Sequence, residues 1–362
     1  MTPAITTINN VYKPTFFRLE SYADKSAFHT IKHSASNKCY DTIDTQILEL
    51  LACRNPSLDK AKILSSGMVD GYLREINKTL ETYGVWVYYP WKNHLVHTLD
   101  EEDFIEVRTN RNKYKITQDE QELLRTKIIG IAGLSVGRAV ATTMALERIC
   151  GEIRLADFDE LELSNLNRIN APLHELGINK TISVAREIVE VDPFIKVKCF
   201  TAGLNAENLN SFFTEDGKMD LFVEECDDIG IKIESRLRCK ELRIPVVMET
   251  NDNCVIDIER FDLEPNREIF HGKLTAEDID RGLLATSNYD RLAIISKVFD
   301  FAKLSTRMEE SFSLLGKELR AWPQLSCEVT YGAGVLSEIA RKILLGKIMF
   351  SRQIRSIVKY AE

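Results

Sequence analysis

The hydrophobic positions change their period along the chain, and the changes mark out elements. From Thr42, "TIDTQILELLACRNP" puts Ile43, Ile47, Leu48, Leu50 and Leu51 on or near one helical face, and Pro56 ends the pattern. "LDKAKILSSGMVDGYLREINKTLETYG" continues as a second helical stretch, interrupted near Gly67. "VWVYYPW", "LVHTL" and "FIEVR" are short, β-rich runs and predict strands. Residues 1–40 are polar and irregular, so the first 110 residues are expected to be an N-terminal extension holding a small α+β unit.

After "TNRNKYKITQDEQELLRT" the texture changes. "KIIGIAG", "EIRLADFD", "IKVKCF", "DLFVEECDD" and "PVVMET" predict five buried strands. "GRAVATTMALERI", "NKTISVAREIVEVDP" and "IKIESRLRCKELRI" predict helices between them, and "EVTYGAGVLSEIARKILLG" a C-terminal one. Strands alternating with helices imply an α/β fold with a doubly wound, mainly parallel sheet over residues 111–362. In such sheets ligands bind beyond the C-terminal strand ends. That rule gathers three places into one site: the turn at Gly133, the acids Asp157 and Asp159, and the acids Asp227 and Asp228.

Each place has a chemistry. Gly133 permits a sharp turn, and Ser135 and Gly137 leave backbone N–H groups open to a phosphate at a helix N-terminus. Asp157 follows about 20–25 residues on, where an acid accepts from ribose hydroxyls. A purely structural turn and an NAD(P) enzyme would both look the same to this point. The segment "DFDELELSNLNR" adds Ser164, Asn165 and Arg168, and "LGINK" adds Lys180. Hydride transfer has no use for these cations. A triphosphate does: Arg168 and Lys180 neutralise its charge and Asn165 donates to an oxygen. The competing reading is a solvated loop of salt bridges.

"DFDELELSNLNR" resembles the D-x-D-x-V-x-x-S-N-L-x-R-Q signature of the ThiF/MoeB/HesA family, the bacterial relatives of ubiquitin-activating enzymes. The family's Gly-rich turn matches residues 133–138, its G-x-x-K matches Gly177 to Lys180, and its D-C-T-D-N strand end matches "ECDD". The likeness runs over roughly residues 110–255. It implies adenylation of a carboxylate by ATP and Mg²⁺, giving an acyl adenylate and pyrophosphate. The substrate is then the C-terminus of a ubiquitin-like or sulfur-carrier protein, or a small carboxylate. Asp157 would hold the ribose, Asp227 the Mg²⁺, and Arg168, Lys180 and Asn165 the departing pyrophosphate. Asp159 would help to orient metal or water. Asp228, where the family has asparagine, fits a helix cap as well as a metal. The resemblance further implies a homodimer, with an arginine reaching the site from the other subunit. Arg111 and Arg108, beside Tyr114, are its candidates, and "VLSEIARKILL" is an amphipathic helix suited to an interface.

The turn departs from the family pattern: Ser135, Val136 and Arg138 stand where glycines are usual. Val136 demands an ordinary backbone, so a reshaped turn is expected, with Arg138 adding positive charge. Two other readings stay open here, an NAD(P)-dependent oxidoreductase and a non-catalytic nucleotide-binding scaffold.

The bulk numbers trim the field. The 362 residues are 44% hydrophobic and 28% charged, with a formal net charge of −8, which disfavours a nucleic-acid binder. No apolar run approaches the roughly 20 residues of a membrane span, and the N-terminus does not read as a secretory signal. The eight cysteines include no C-x-x-C pair, so no zinc is expected and the thiols read as mostly buried and free in a cytoplasmic protein. Cys254, after "PVVMET", reads as a buried thiol rather than an acyl acceptor. His174 and His271 have no ligand spacing.

Overall fold

The computed structural model describes residues 9–250, 252, 254–285, 288–298 and 305–355. The first few residues of the polar N-terminal stretch, 1–8, lie outside them. The chain divides into two compact units, residues 1–119 with 189–194, and residues 120–188 with 195–362.

The first unit is built on a four-stranded sheet in the order β1-β3-β4-β2. Its strands are β1 (Thr15–Phe17), β2 (Lys38–Asp41), β3 (Val85–Tyr89) and β4 (His94–Thr98), and its helices are α1 (Tyr22–Lys32), α2 (Ile43–Arg54), α3 (Lys60–Ser65), α4 (Met68–Glu75) and α5 (Glu101–Arg108). Ile43, Ile47, Leu50 and Leu51 of α2 are buried with Ile63, Leu73 and Leu99, the face its periodicity marked out. The helical stretch that follows breaks at Gly67, as expected.

Two expectations for this unit are corrected. Residues 15–41 are not irregular: they hold β1, α1 and β2. "FIEVR" is not a strand but the body of α5. Glu101, Glu102 and Asp103 fill the first turn of that helix, where carboxylates oppose the positive end of the helix dipole. That preference, with Ile105 as the buried contact, outweighs the β-rich composition of the run.

The second unit carries the parallel sheet. Its elements are α6 (Gln118–Arg125), β5 (Ile128–Ala132), α7 (Gly137–Glu147), β6 (Glu152–Ala156), α8 (Lys180–Val191), β7 (Lys196–Phe200), α9 (Leu209–Thr214), β8 (Leu221–Glu224), α10 (Ile229–Leu242), β9 (Val246–Thr250), β10 (Val255–Glu259), α11 (Ala276–Leu283), α12 (Asn288–Val298), α13 (Thr306–Phe312), α14 (Ser326–Leu344) and β11 (Arg352–Arg355). The order is β11-β10-β9-β8-β5-β6-β7. The strands from β7 to β9 pair in parallel, and β10 and β11 add an antiparallel edge. All five strands read from the sequence are present. β5 lies between β6 and β8, so successive connections leave it in opposite directions. This is the switch point at which doubly wound sheets open a crevice.

α14 buries Val329, Ala333, Leu336, Ala340 and Ile343, the i, i+4, i+7 stripe of an amphipathic helix. It packs on α7 and β9. The apolar face that suggested an intersubunit contact therefore has a partner within its own unit. Among the described residues no helix is long and apolar enough to cross a membrane.

Candidate functional site

The site forms where β5, β6 and β8 end. Gly133 closes β5 with φ +87°, and a Cβ on it would lie 2.2 Å from the Glu225 carbonyl oxygen. Any side chain there collides with the strand end that carries Asp227, and the left-handed backbone alone favours glycine. The Gly137 N–H donates to the Gly133 carbonyl at 3.1 Å. Gly137 is bare for another reason: its Cβ would meet Ile131 at 2.8 Å, so its absence lets α7 press onto β5. Val136 takes ordinary αR backbone at the start of α7 and is buried. The departure from glycine thus needs no contorted turn. The N–H groups of Ser135 and Val136 make no hydrogen bond among the described residues, as expected of donors at the head of a helix.

Asp157 at the end of β6 fastens this turn. Its Oδ2 accepts the Leu134 N–H at 2.6 Å and its Oδ1 accepts the Asp159 N–H at 2.9 Å. Each oxygen keeps a lone pair for a further donor. Burial pushes the Asp157 carboxyl up from its ordinary value, against the opposing pull of Lys180 and the two amides. Lys180, at the start of α8, is buried and donates to Asp159 Oδ2 at 2.7 Å. The expected orienting acid and the expected phosphate cation are therefore paired with each other.

Arg168 reaches the turn from the crossover segment. Its Nε and Nη2 donate to Ser135 Oγ at 3.2 and 2.8 Å, and its Nη1 donates to Asn167 Oδ1 at 2.9 Å. Burial draws the guanidinium below its ordinary value, and the Asp227 carboxylate pulls it back. Asn165 is buried, and its Oδ1 accepts the Glu162 N–H at 3.1 Å within a reciprocal capping box. Its oxygen holds the segment together, and its amide nitrogen is the group suited to donate to a ligand.

Asp227 is exposed just beyond β8. Asp228 caps α10, its Oδ1 accepting the Ile231 N–H at 3.0 Å; of its two expected roles, the structure shows the cap. Arg138 is corrected: it is buried and donates to Ser183 Oγ at 2.7 Å, with Glu187 Oε2 also 2.7 Å away, so α8 takes the charge expected at the turn. Arg108 lies 3.7 Å from the buried carboxylate of Asp192, within the first unit. Arg111 is exposed in the turn Asn110–Asn112.

The thiols divide differently from the expected pattern. All eight are free, but Cys39 and Cys327 are exposed. Cys254 is buried, and burial beside Glu249 and Glu225 pushes its thiol up to about 12, far from an activated nucleophile. Among the described residues no group of three or more His, Cys, Asp or Glu side chains is arranged to hold a metal ion.

Sequence reasoning missed Asn179. Its amide donates to the Asp157 and Thr201 carbonyls, and its Oδ1 accepts the Thr181 N–H. The signal was an asparagine as the first residue of a predicted helix, a capping position. It also missed the Glu224–Lys232–Arg236 cluster, legible only as a basic i, i+4 pair.

A doubly wound sheet with a glycine turn, an acid at the second strand end and a cationic crossover defines an α/β domain with its candidate site at the switch point. Residues 108–252 match the family model described as "ThiF family", and the chain carries a ThiF-family domain. It is 39% identical over 282 residues to "Uncharacterized protein MT1398" of Mycobacterium tuberculosis (strain CDC 1551 / Oshkosh), covering 78% of this chain and 39% of that protein. It is 25% identical over 184 residues to the tRNA threonylcarbamoyladenosine dehydratase of Bacillus subtilis (strain 168), covering 48% and 71%. It is 27% identical over 169 residues to the molybdopterin-synthase adenylyltransferase of Haemophilus influenzae, covering 44% and 66%. The match to the Mycobacterium protein thus spans well under half of that protein's length.

Proposed function

We propose that the second unit binds ATP and adenylates a carboxylate. The observation that carries this reading is the convergence of the Gly133 turn, Asp157, the Arg168–Ser135 pair and Asp227 at one switch point. The ThiF-family match supports the same reading, as does the likeness to an adenylyltransferase.

A carboxylate oxygen of the substrate attacks the α-phosphorus. The bond from that phosphorus to the α–β bridging oxygen breaks, and pyrophosphate leaves with the electron pair. The open N–H groups of Ser135 and Val136 face a phosphate at the head of α7. The spare lone pairs of Asp157 accept from the ribose hydroxyls. Arg168 and the Asn165 amide stabilise negative charge on the leaving pyrophosphate. Lys180 acts through its ion pair with Asp159, placing a positive charge beside Asp157 and the polyanion.

One exposed carboxylate is too little for a stand-alone metal site. It fits Mg²⁺ carried in by the nucleotide, which binds through one or two carboxylates together with phosphates. Asp227 would hold that ion, which would supply charge neutralisation between the phosphates. The acyl substrate in this reading is a protein C-terminus of the ubiquitin-like or sulfur-carrier kind, or a small carboxylate. The working form is a homodimer in the cytoplasm, with Arg111 as the arginine offered to the partner's site.

Calorimetric titration with Mg·ATP, and separately with NAD⁺ and NADH, tests the reading. ATP binding that weakens in Arg168→Ala supports it, and pyrophosphate exchange then identifies the carboxylate. NAD binding without ATP binding overturns it in favour of an oxidoreductase.

A further inference from the structure

The loop that presents Asp227 is anchored from beneath by a buried charge cluster. Glu224, the last residue of β8, is fully buried. Its Oε1 accepts the Cys226 N–H at 2.8 Å and Lys232 Nζ at 3.0 Å. Its Oε2 accepts Lys232 Nζ at 3.0 Å and Arg236 Nη1 at 2.5 Å. Lys232 and Arg236 stand one turn apart on α10 and are themselves buried. Arg236 also donates to Glu259 Oε2 of β10 at 2.7 Å and lies 4.1 Å over the Phe270 ring.

The neighbouring bonds complete the anchor. The Glu225 N–H donates to the Ala132 carbonyl at 2.8 Å, and Glu225 Oε1 accepts the Glu249 N–H at 2.8 Å. Asp228 caps α10. Every residue of the segment 224–228 except Asp227 is thereby tied down by the bonds above, and Asp227 is its exposed member. A buried carboxylate needs full compensation, and two cations with one amide supply it. The Cys226 amide is bound only while Glu224 is held in this orientation.

We propose that Lys232 is a positioning residue for Asp227, acting through Glu224 and the Cys226 amide. The inference rests on the ATP reading for its consequence, but not for its geometry. It assigns to α10 the task of fixing where the nucleotide-borne cation meets the protein.

The test uses the full chain as wild type, Lys232→Met, Lys232→Arg and Asp227→Asn. Amide hydrogen exchange over residues 224–231 is measured without nucleotide, and ATP affinity is measured with and without Mg²⁺. The Cys226 amide is expected to exchange faster in Lys232→Met by about tenfold or more, equivalent to 1.4 kcal/mol, and to recover in Lys232→Arg. In Lys232→Met, metal-free ATP affinity is expected to stay near wild type while the gain from Mg²⁺ falls toward that of Asp227→Asn. Should Lys232→Met fail to fold, Glu224→Gln keeps the side-chain volume and takes its place, with the same expected loosening. Unchanged exchange at Cys226 in a folded variant overturns the positioning role. So does a full Mg²⁺ gain in Lys232→Met where Asp227→Asn has lost it. A wild type with no Mg²⁺ gain overturns the role of Asp227 instead, and exchange at Cys226 still decides the role of Lys232.

Discussion

Arg168 spends two of its donors, Nε and Nη2, on the single hydroxyl of Ser135, at 3.2 and 2.8 Å. The serine stands where the family resemblance leads one to expect glycine. The departure and the arginine are therefore one feature: the hydroxyl parks the guanidinium against the turn. Ser135→Ala is expected to leave folding intact and weaken ATP binding several-fold, because Arg168 loses its orientation. Arg168→Ala removes the charge itself, and a hydrogen bond to a charged group contributes about 1.5–3 kcal/mol. The loss there is tenfold or more by calorimetry. Equal losses in the two variants would contradict this division.

Asp157 fastens the turn, and in the proposed reading it also accepts from the ribose. Asp157→Asn keeps one carbonyl oxygen but cannot accept from both the Leu134 and Asp159 amides, which the carboxylate does at 2.6 and 2.9 Å. Thermal unfolding should show a loss of about 1–3 kcal/mol, the range for leaving a buried donor unsatisfied. ATP affinity should fall with it. A variant as stable as wild type would mean that the turn does not depend on this carboxylate.

Glycine at 133 and glycine at 334 should respond in opposite directions. Gly133→Ala meets the Glu225 carbonyl and sits at φ +87°, so the chain is expected to lose about 3 kcal/mol or more, beyond the ordinary cost of a point substitution. Gly334 lies in α14 with nothing within 4 Å of its absent Cβ, and alanine there is expected to stabilise by up to about 1 kcal/mol. Urea unfolding of the two variants checks the contrast.

Glu249 makes the stability depend on pH. It is buried on β9, its two oxygens have no hydrogen-bond partner among the described residues, and burial with the Glu328 charge pushes its carboxyl up to about 8. The folded value lies above the unfolded one, so the folded state holds the proton more tightly. The associated stability is full below the ordinary glutamate range, falls as pH rises, and is gone above about 8. Glu249→Gln mimics the protonated form. It is expected to unfold several degrees higher than wild type at pH 8 and close to wild type at pH 4.5, since 1 kcal/mol moves the midpoint by roughly 2–4 °C in a chain of this class. Parallel melting curves across the whole range would sink the argument.

The parallel sheet was legible in the sequence because its strands are buried on both faces and read as unbroken apolar runs. Gly133, Asp157 and Asp227 were legible because a doubly wound sheet puts the C-terminal ends of its parallel strands on one edge, and Arg168 because it stands in the polar crossover segment that follows Asp157. Local pattern failed at "FIEVR", where acids ahead of the run started a helix, and across residues 15–41, where short strands carry too few alternating positions to stand out. What the chain alone determined is therefore the order of elements and the residue types brought to one edge. The tertiary structure decided which partner each cation meets: Lys180 with Asp159, Arg138 with Glu187, Arg168 with the Ser135 hydroxyl, and Lys232 and Arg236 with Glu224. A cation's partner depends on which side chains the packing buries beside it, and residues distant in sequence become neighbours only when the sheet and its helices close together.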